Sequence, residues 1–173
     1  GYSYGWVGSL WARAQNGEKA AEALRTFATC FCLPNSFHVN GDQSGTGKSK
    51  FTYRPFTLEG NFACAAGIQE MLLQSHGGIL RVFPAVSQGW RDVSFAGLRA
   101  EGAFLVSAEQ KNGAVTHVRV ESEKGGIIRL TNPFGEKKFE VQAKPSLKVE
   151  TRGNVLECQA RPGMVVEFFA KSD

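Results

Sequence analysis

Along the chain, apolar residues recur at helical spacing as far as His76-Gly77-Gly78 and at roughly every second position beyond it. Residues 3–14 place Trp6, Leu10 and Ala14 four apart on one face, with Val7 and Trp11 adjoining, and we assign Trp11 to a core. Asn16 is set to cap a second helix whose first turn carries Glu18, where a carboxylate meets the positive helix end. In that helix Ala20, Leu24, Phe27 and Phe31 form an apolar stripe, and Glu18, Glu22 and Arg25 take the wet side. Leu33-Pro34-Asn35 ends it, because proline cannot continue the hydrogen-bond ladder. Joined through Gln15-Asn16-Gly17, the two helices predict an antiparallel helical hairpin.

A third helix is predicted for "NFACAAGIQEMLLQS", residues 61–75, in which only Gln69, Glu70 and Gln74 make a polar strip. A helix that is apolar almost all round is buried on most sides. Ala63, Ala65, Ala66 and Gly67 allow close approach of neighbours, yet three helices cannot enclose one of their own number. This half therefore reads as part of a larger helical array. The abrupt aromatic opening, Gly1-Tyr2-Ser3-Tyr4-Gly5-Trp6, points the same way and predicts missing upstream sequence.

After Gly78 come short runs of alternating or continuous apolar residues: "ILRVFPAV", "AFLVSAEQ", "VTHVRVES", "IIRLTN", "KFEVQA", "LKVET", "VLECQA" and "VVEFFAK". Lys111-Asn112-Gly113, Lys124-Gly125-Gly126, Arg152-Gly153-Asn154 and Arg161-Pro162-Gly163 supply turns between them. These runs predict an antiparallel β-sandwich over 78–173, behind a helical segment over 1–77, and so an α+β fold.

Composition changes this picture little. Apolar residues make up 42% and charged residues 21%, and the net charge of +4 is spread along the chain instead of clustered as in nucleic-acid binders, so no nucleic-acid partner is expected. No apolar run reaches about 18 residues, so no membrane insertion is expected. Cys30, Cys32, Cys64 and Cys158 lack metal-ligand spacing; core packing is their expected role, with a disulfide as the alternative, and neither metal nor cofactor is expected.

Candidate chemistry concentrates in "GDQSGTGKSKFTYRPFTLEGNF", residues 41–62. Gly47-Lys48-Ser49 imitates the end of a phosphate-binding loop. However, Asp42 stands where the motif needs its first glycine, and Pro55 blocks the helix that must follow. The expected reading is a flexible, solvent-facing loop. Glu59-Gly60-Asn61, by contrast, enters the third helix. Asn61 capping that helix beside a charge-complementing Glu59 is one reading, and a carboxylate facing a cleft is the other.

"GYSYGWVGSLWARAQNGEKAAEALRTFA", "LEGNFACAAGIQEMLLQSHGGILRVFPAV" and "GWRDVSFAGLRAEGAFLVSAEQKNGAVTHVRVES" resemble, in order, blocks of glycoside hydrolase family 95 over roughly residues 3–135. That family comprises α-L-fucosidases and some α-galactosidases acting on L-galactosides. It is built from an N-terminal β domain, a helical linker, an (α/α)6 barrel and a C-terminal β domain, and this chain resembles only the last barrel helices and the final β domain. The resemblance implies that Glu59 stands at the general-base position, normally Asp, within an acid-Gly-Asn-Phe motif. It also implies that Trp6 lines the sugar site, as a stacking platform or as core, and that Asn61 contacts substrate. Inversion needs a second carboxyl group about 6.5–9.5 Å from the base, to protonate the leaving oxygen while leaving room for water. That acid lies upstream of these residues in the family.

The resemblance thus implies the C-terminal segment of an inverting glycosidase acting on a glycan, inactive as an isolated chain and secreted or periplasmic. A stand-alone carbohydrate-binding or self-associating module is the alternative. Exposed apolar helix faces predict a homo-oligomer in either case.

Overall fold

The computed structural model describes residues 1–171, which form two compact units. The helical unit is Gly1–Leu72 with Phe83–Gln88, and the β unit runs over Leu73–Val82 and from Gly89 onward.

Helices α1 (Tyr2–Arg13), α2 (Gly17–Cys30) and α3 (Leu58–Leu72) make the first unit. Asn16 caps α2 as its sequence predicts, its side chain accepting from the Lys19 amide at 3.1 Å. The predicted stripe is the core: Ala20, Leu24, Phe27 and Phe31 are all buried, as are Ala12 of α1 and Met71 of α3. Tyr4 stacks on Phe31 near the start of α1, whereas Gly8 meets Ala20 and Leu24, so α1 and α2 run antiparallel. Gly5 lies against Ala63 and Cys64, Ser9 beside Gly67, and Arg13 on Glu70, so α1 and α3 run parallel with their N-termini at one end. The Leu24 side chain fits only because Gly8 and Gly67 carry none, since a Cβ at either would lie within 3 Å of it.

Three expectations need correction here. First, α3 starts three residues earlier and stops at Leu72 instead of Ser75. Leu73 and Gln74 pair instead as β1 (Leu73–Gln74) with β2 (Arg81–Val82). The last turn of α3 is met by the returning chain, with the Phe83 amide donating to the Leu72 carbonyl at 2.7 Å. Second, Ala65 and Ala66 are exposed, and only Ala63 and Gly67 of the small residues face α1. Third, Trp11 is half-buried, not core, with the Lys19 ammonium 4.2 Å above its ring.

The β unit continues with β3 (Val93–Ala100), β4 (Phe104–Lys111), β5 (Ala114–Ser122), β6 (Gly126–Thr131), β7 (Phe139–Ala143), β8 (Glu150–Arg152), β9 (Val155–Ala160) and β10 (Met164–Ala170). A five-stranded antiparallel sheet has the order β3-β4-β5-β10-β7, and a three-stranded one has β6-β9-β8. Each sheet buries one face, as in a sandwich. Phe104, Val106, Ala108, Val118, Val120, Val166 and Phe168 point inward from the larger sheet, and Ile128, Leu130, Leu156 and Cys158 from the smaller. "ILRVFPAV" keeps only Arg81–Val82 as strand, because Phe83–Gln88 rejoins the helical unit. Strand β3 lacks a clean period-two pattern because a bulge lies between Phe95 and Leu98, with Gly97 at φ +65, and shifts the alternation. Among the described residues no helix is long and apolar enough to cross a membrane.

Candidate active site

Glu59 sits in the first turn of α3, exposed, and its carboxylate makes no hydrogen bond or ion pair among the described residues. The start of a helix favours a negative charge. Trp6 is 54% exposed, on an outward stripe of α1 with Tyr2 and Leu10; Phe62, one turn beyond Leu58 on α3, is 67% exposed. Because α1 and α3 are parallel, these side chains project from helices whose N-termini share one end. Trp6 is no part of this unit's own core.

Asn61 does not cap α3, which has already begun at Leu58. Instead its Oδ1 accepts from the His38 amide at 2.9 Å, and its Nδ2 donates to the Ser36 carbonyl at 2.8 Å. It thus ties the connection between α2 and α3 to the helix that carries Glu59. His38 is itself fully buried, with Nδ1 2.7 Å from the Thr57 hydroxyl and 3.1 Å from the Thr57 carbonyl. Burial holds the imidazole below its ordinary pKa, and the Thr57 carbonyl and Glu59 oppose this. Sequence reasoning passed over His38. The one local signal is a histidine between Phe37 and Val39 in an otherwise apolar triplet, and nothing local says that Thr57 returns to it 19 residues later.

The phosphate-loop lookalike is folded around its own anion: Ser44 to Lys48 face solvent, as expected, while Gly41 and Asp42 are buried. Asp42 is buried, and its carboxylate accepts from the Ser44 amide at 2.8 Å, the Ser44 hydroxyl at 2.6 Å and the Lys48 amide at 2.8 Å. The Ser44 hydroxyl, with the amides of Ser44, Lys48 and Ser49, holds that carboxyl below the usual range. Amides that would otherwise receive a phosphate are thus already engaged by Asp42.

The other carboxylates of the helical unit offer no partner acid for Glu59. Glu70 is paired with Arg13, its Oε1 accepting from Nη2 at 2.7 Å. Glu18 accepts from the Gln88 amide at 2.6 Å and the Ser87 hydroxyl at 3.2 Å. Glu22 lies on the solvent side of α2. All four cysteines are free thiols, and no cluster of three or more His, Cys, Asp or Glu side chains suited to a metal occurs among the described residues. At the start of α3 the geometry supplies an accessible carboxylate not engaged by its neighbours, with exposed aromatics on α1 and α3.

Comparison with known proteins divides the chain much as its structure does. Residues 1–72 match the glycosyl hydrolase family 95 catalytic domain, and residues 74–173 match the glycoside hydrolase family 95 C-terminal domain. The chain is 32% identical to alpha-L-fucosidase 2 of Arabidopsis thaliana over 126 residues, 72% of this chain but only 15% of that protein's length. Among solved structures it is similar to a GH127 β-L-arabinofuranosidase from Geobacillus stearothermophilus T6. There the identity is 15%, covering 95% of this chain and 30% of that one, and the TM-score of 0.37 is too low to bear on the site.

Proposed function

The chain belongs to glycoside hydrolase family 95, and from that premise we propose that, in a complete enzyme, it supplies the base half of an inverting hydrolysis of an α-L-fucoside or related L-galactoside. The observation that carries this reading is the accessible Glu59 carboxylate, opening α3 within the stretch that matches the catalytic domain. A helix start stabilises the anion that must take a proton from water. The activated water then attacks the anomeric carbon from the face opposite the leaving oxygen, and an acid outside these residues protonates that oxygen. Trp6 offers a flat apolar face for a sugar ring. Asn61 serves substrate through the loop it fastens, since both atoms of its amide are engaged there. With Glu18, Asp42 and Glu70 engaged elsewhere and Glu22 on the solvent side of α2, no second carboxyl group here serves as the acid, and the 173-residue chain alone hydrolyses nothing.

Two measurements test this reading together. The isolated chain is expected to give no turnover of nitrophenyl α-L-fucoside or α-L-galactoside. In the complete enzyme, Glu59→Gln is expected to lower kcat by about 10²–10⁴-fold. Turnover by the isolated chain, or a fully active Glu59→Gln enzyme, contradicts it.

A second reading, self-association, is favoured by the exposure of Tyr2, Trp6, Leu10, Phe62 and Ile68 on α1 and α3. In that reading the isolated chain forms oligomers through these faces.

A further inference from the structure

The turn that carries Glu59 is fastened on both sides to a single residue. Two positions before Glu59, the Thr57 amide donates to the His38 carbonyl at 3.1 Å, and the Thr57 hydroxyl and carbonyl both lie within reach of His38 Nδ1. Two positions after it, Asn61 Oδ1 accepts from the His38 amide. Between them Gly60 lets the imidazole press on the helix backbone, for a Cβ there would lie 2.3 Å from Nδ1. Behind the ring stands Phe27, with centroids 5.1 Å apart. His38 Nε2 is buried with no hydrogen-bond partner among the described residues. An unpaired buried nitrogen costs stability, and a phenylalanine would fill the same space without that cost. The ring's contribution therefore lies at Nδ1 and in the rigidity it gives the turn.

Resting on the reading of Glu59 as base, we infer that His38 is a positioning residue that sets the place and direction of the Glu59 carboxylate through Thr57 and Asn61. His38 is wholly buried and does not touch solvent, so its effect falls on the chemical step and not on sugar affinity. A displacement of about 1 Å in a catalytic group costs on the order of 10²-fold in rate.

The test uses the complete enzyme that contains this chain, with nitrophenyl α-L-fucoside and α-L-galactoside as probes. His38→Phe, which keeps the packing, is expected to lower kcat by about 10–100-fold with KM within about twofold of wild type. His38→Asn is expected to recover part of that loss, because its amide nitrogen can take the place of Nδ1 toward the Thr57 carbonyl. Thr57→Val, which removes only the hydroxyl partner, gives the same kcat-selective loss at smaller amplitude and serves if the His38 variants do not fold. A folded His38→Phe enzyme with wild-type kcat, or losses that merely track melting temperature across the three variants, overturns the positioning role. Glu59→Gln separates the two levels. If that variant stays active, or the wild-type enzyme cleaves neither probe, the base reading itself falls. If it is dead while His38→Phe is unimpaired, only the role of His38 falls.

Discussion

In the β unit, Val106, Val118, Val120, Val166 and Phe168 are each fully buried, and Ile127 is the one large apolar side chain of the described residues left substantially exposed. In the helical unit the large exposed apolar residues run from Tyr2, Trp6 and Leu10 on α1, through Phe37, Phe51, Tyr53 and Phe56, to Leu58, Phe62 and Ile68 on α3. The difference follows from how each element hides its apolar atoms. A strand alternates, so two sheets laid face to face bury every inward residue between them. A helix that is apolar on several faces needs neighbours on several sides. Two helices packed through glycine and alanine leave their bulky residues facing outward. The β unit covers its own core, and the helical unit leaves its bulky apolar side chains exposed.

The sharpest way to break that contrast is to cut into the complete core. Phe168→Ala is expected to destabilise the β unit by about 3–5 kcal/mol, measured by denaturant titration. A cost below about 1 kcal/mol would mean that the core is not closed. Next in size, Gly60→Ala drives a methyl group into His38 and should cost the helical unit about 1–3 kcal/mol. A neutral result would show that the first turn of α3 is loosely held.

A pH effect comes third. His38 has a folded pKa below its ordinary value of about 6.5, so the folded state binds fewer protons than the unfolded one. Its contribution to stability is therefore fully present above about pH 6.5 and is lost as pH falls from there through the folded pKa. The melting temperature of wild type should fall more steeply between pH 7 and 5 than that of His38→Phe, and parallel slopes would contradict this. The smallest change in stability is expected from Leu10→Glu, within about 0.5 kcal/mol because the side chain already faces water. Its readout is association instead: light scattering should show oligomers of the wild-type chain shrinking in the variant. Unchanged particle size would turn attention to another face.

Much of this contrast is legible in the sequence. The stripe Ala20, Leu24, Phe27 and Phe31 identifies its own helix and buried face, because tertiary packing agrees with helical period there. The turn at Asn112-Gly113 is equally direct, since both residues adopt the positive φ that a tight hairpin demands. Trp6 and Leu10 show the limit, for periodicity says which positions share a face but not what covers it. At Glu59 the pattern located the carboxylate and its helix, yet the turn that carries it is built by Thr57 and His38. Their meeting depends on a 19-residue return that no local signal encodes. Gly97 in β3 fails differently, because one inserted residue turns an alternating strand into an irregular one.

Asp42 has one more consequence. A loop whose amides converge on an absent anion must wait for that anion before taking shape. This one brings the charge within its own sequence, so its curve is set as soon as the chain folds. Replacing that aspartate would take away the acceptor that the Ser44 and Lys48 amides share.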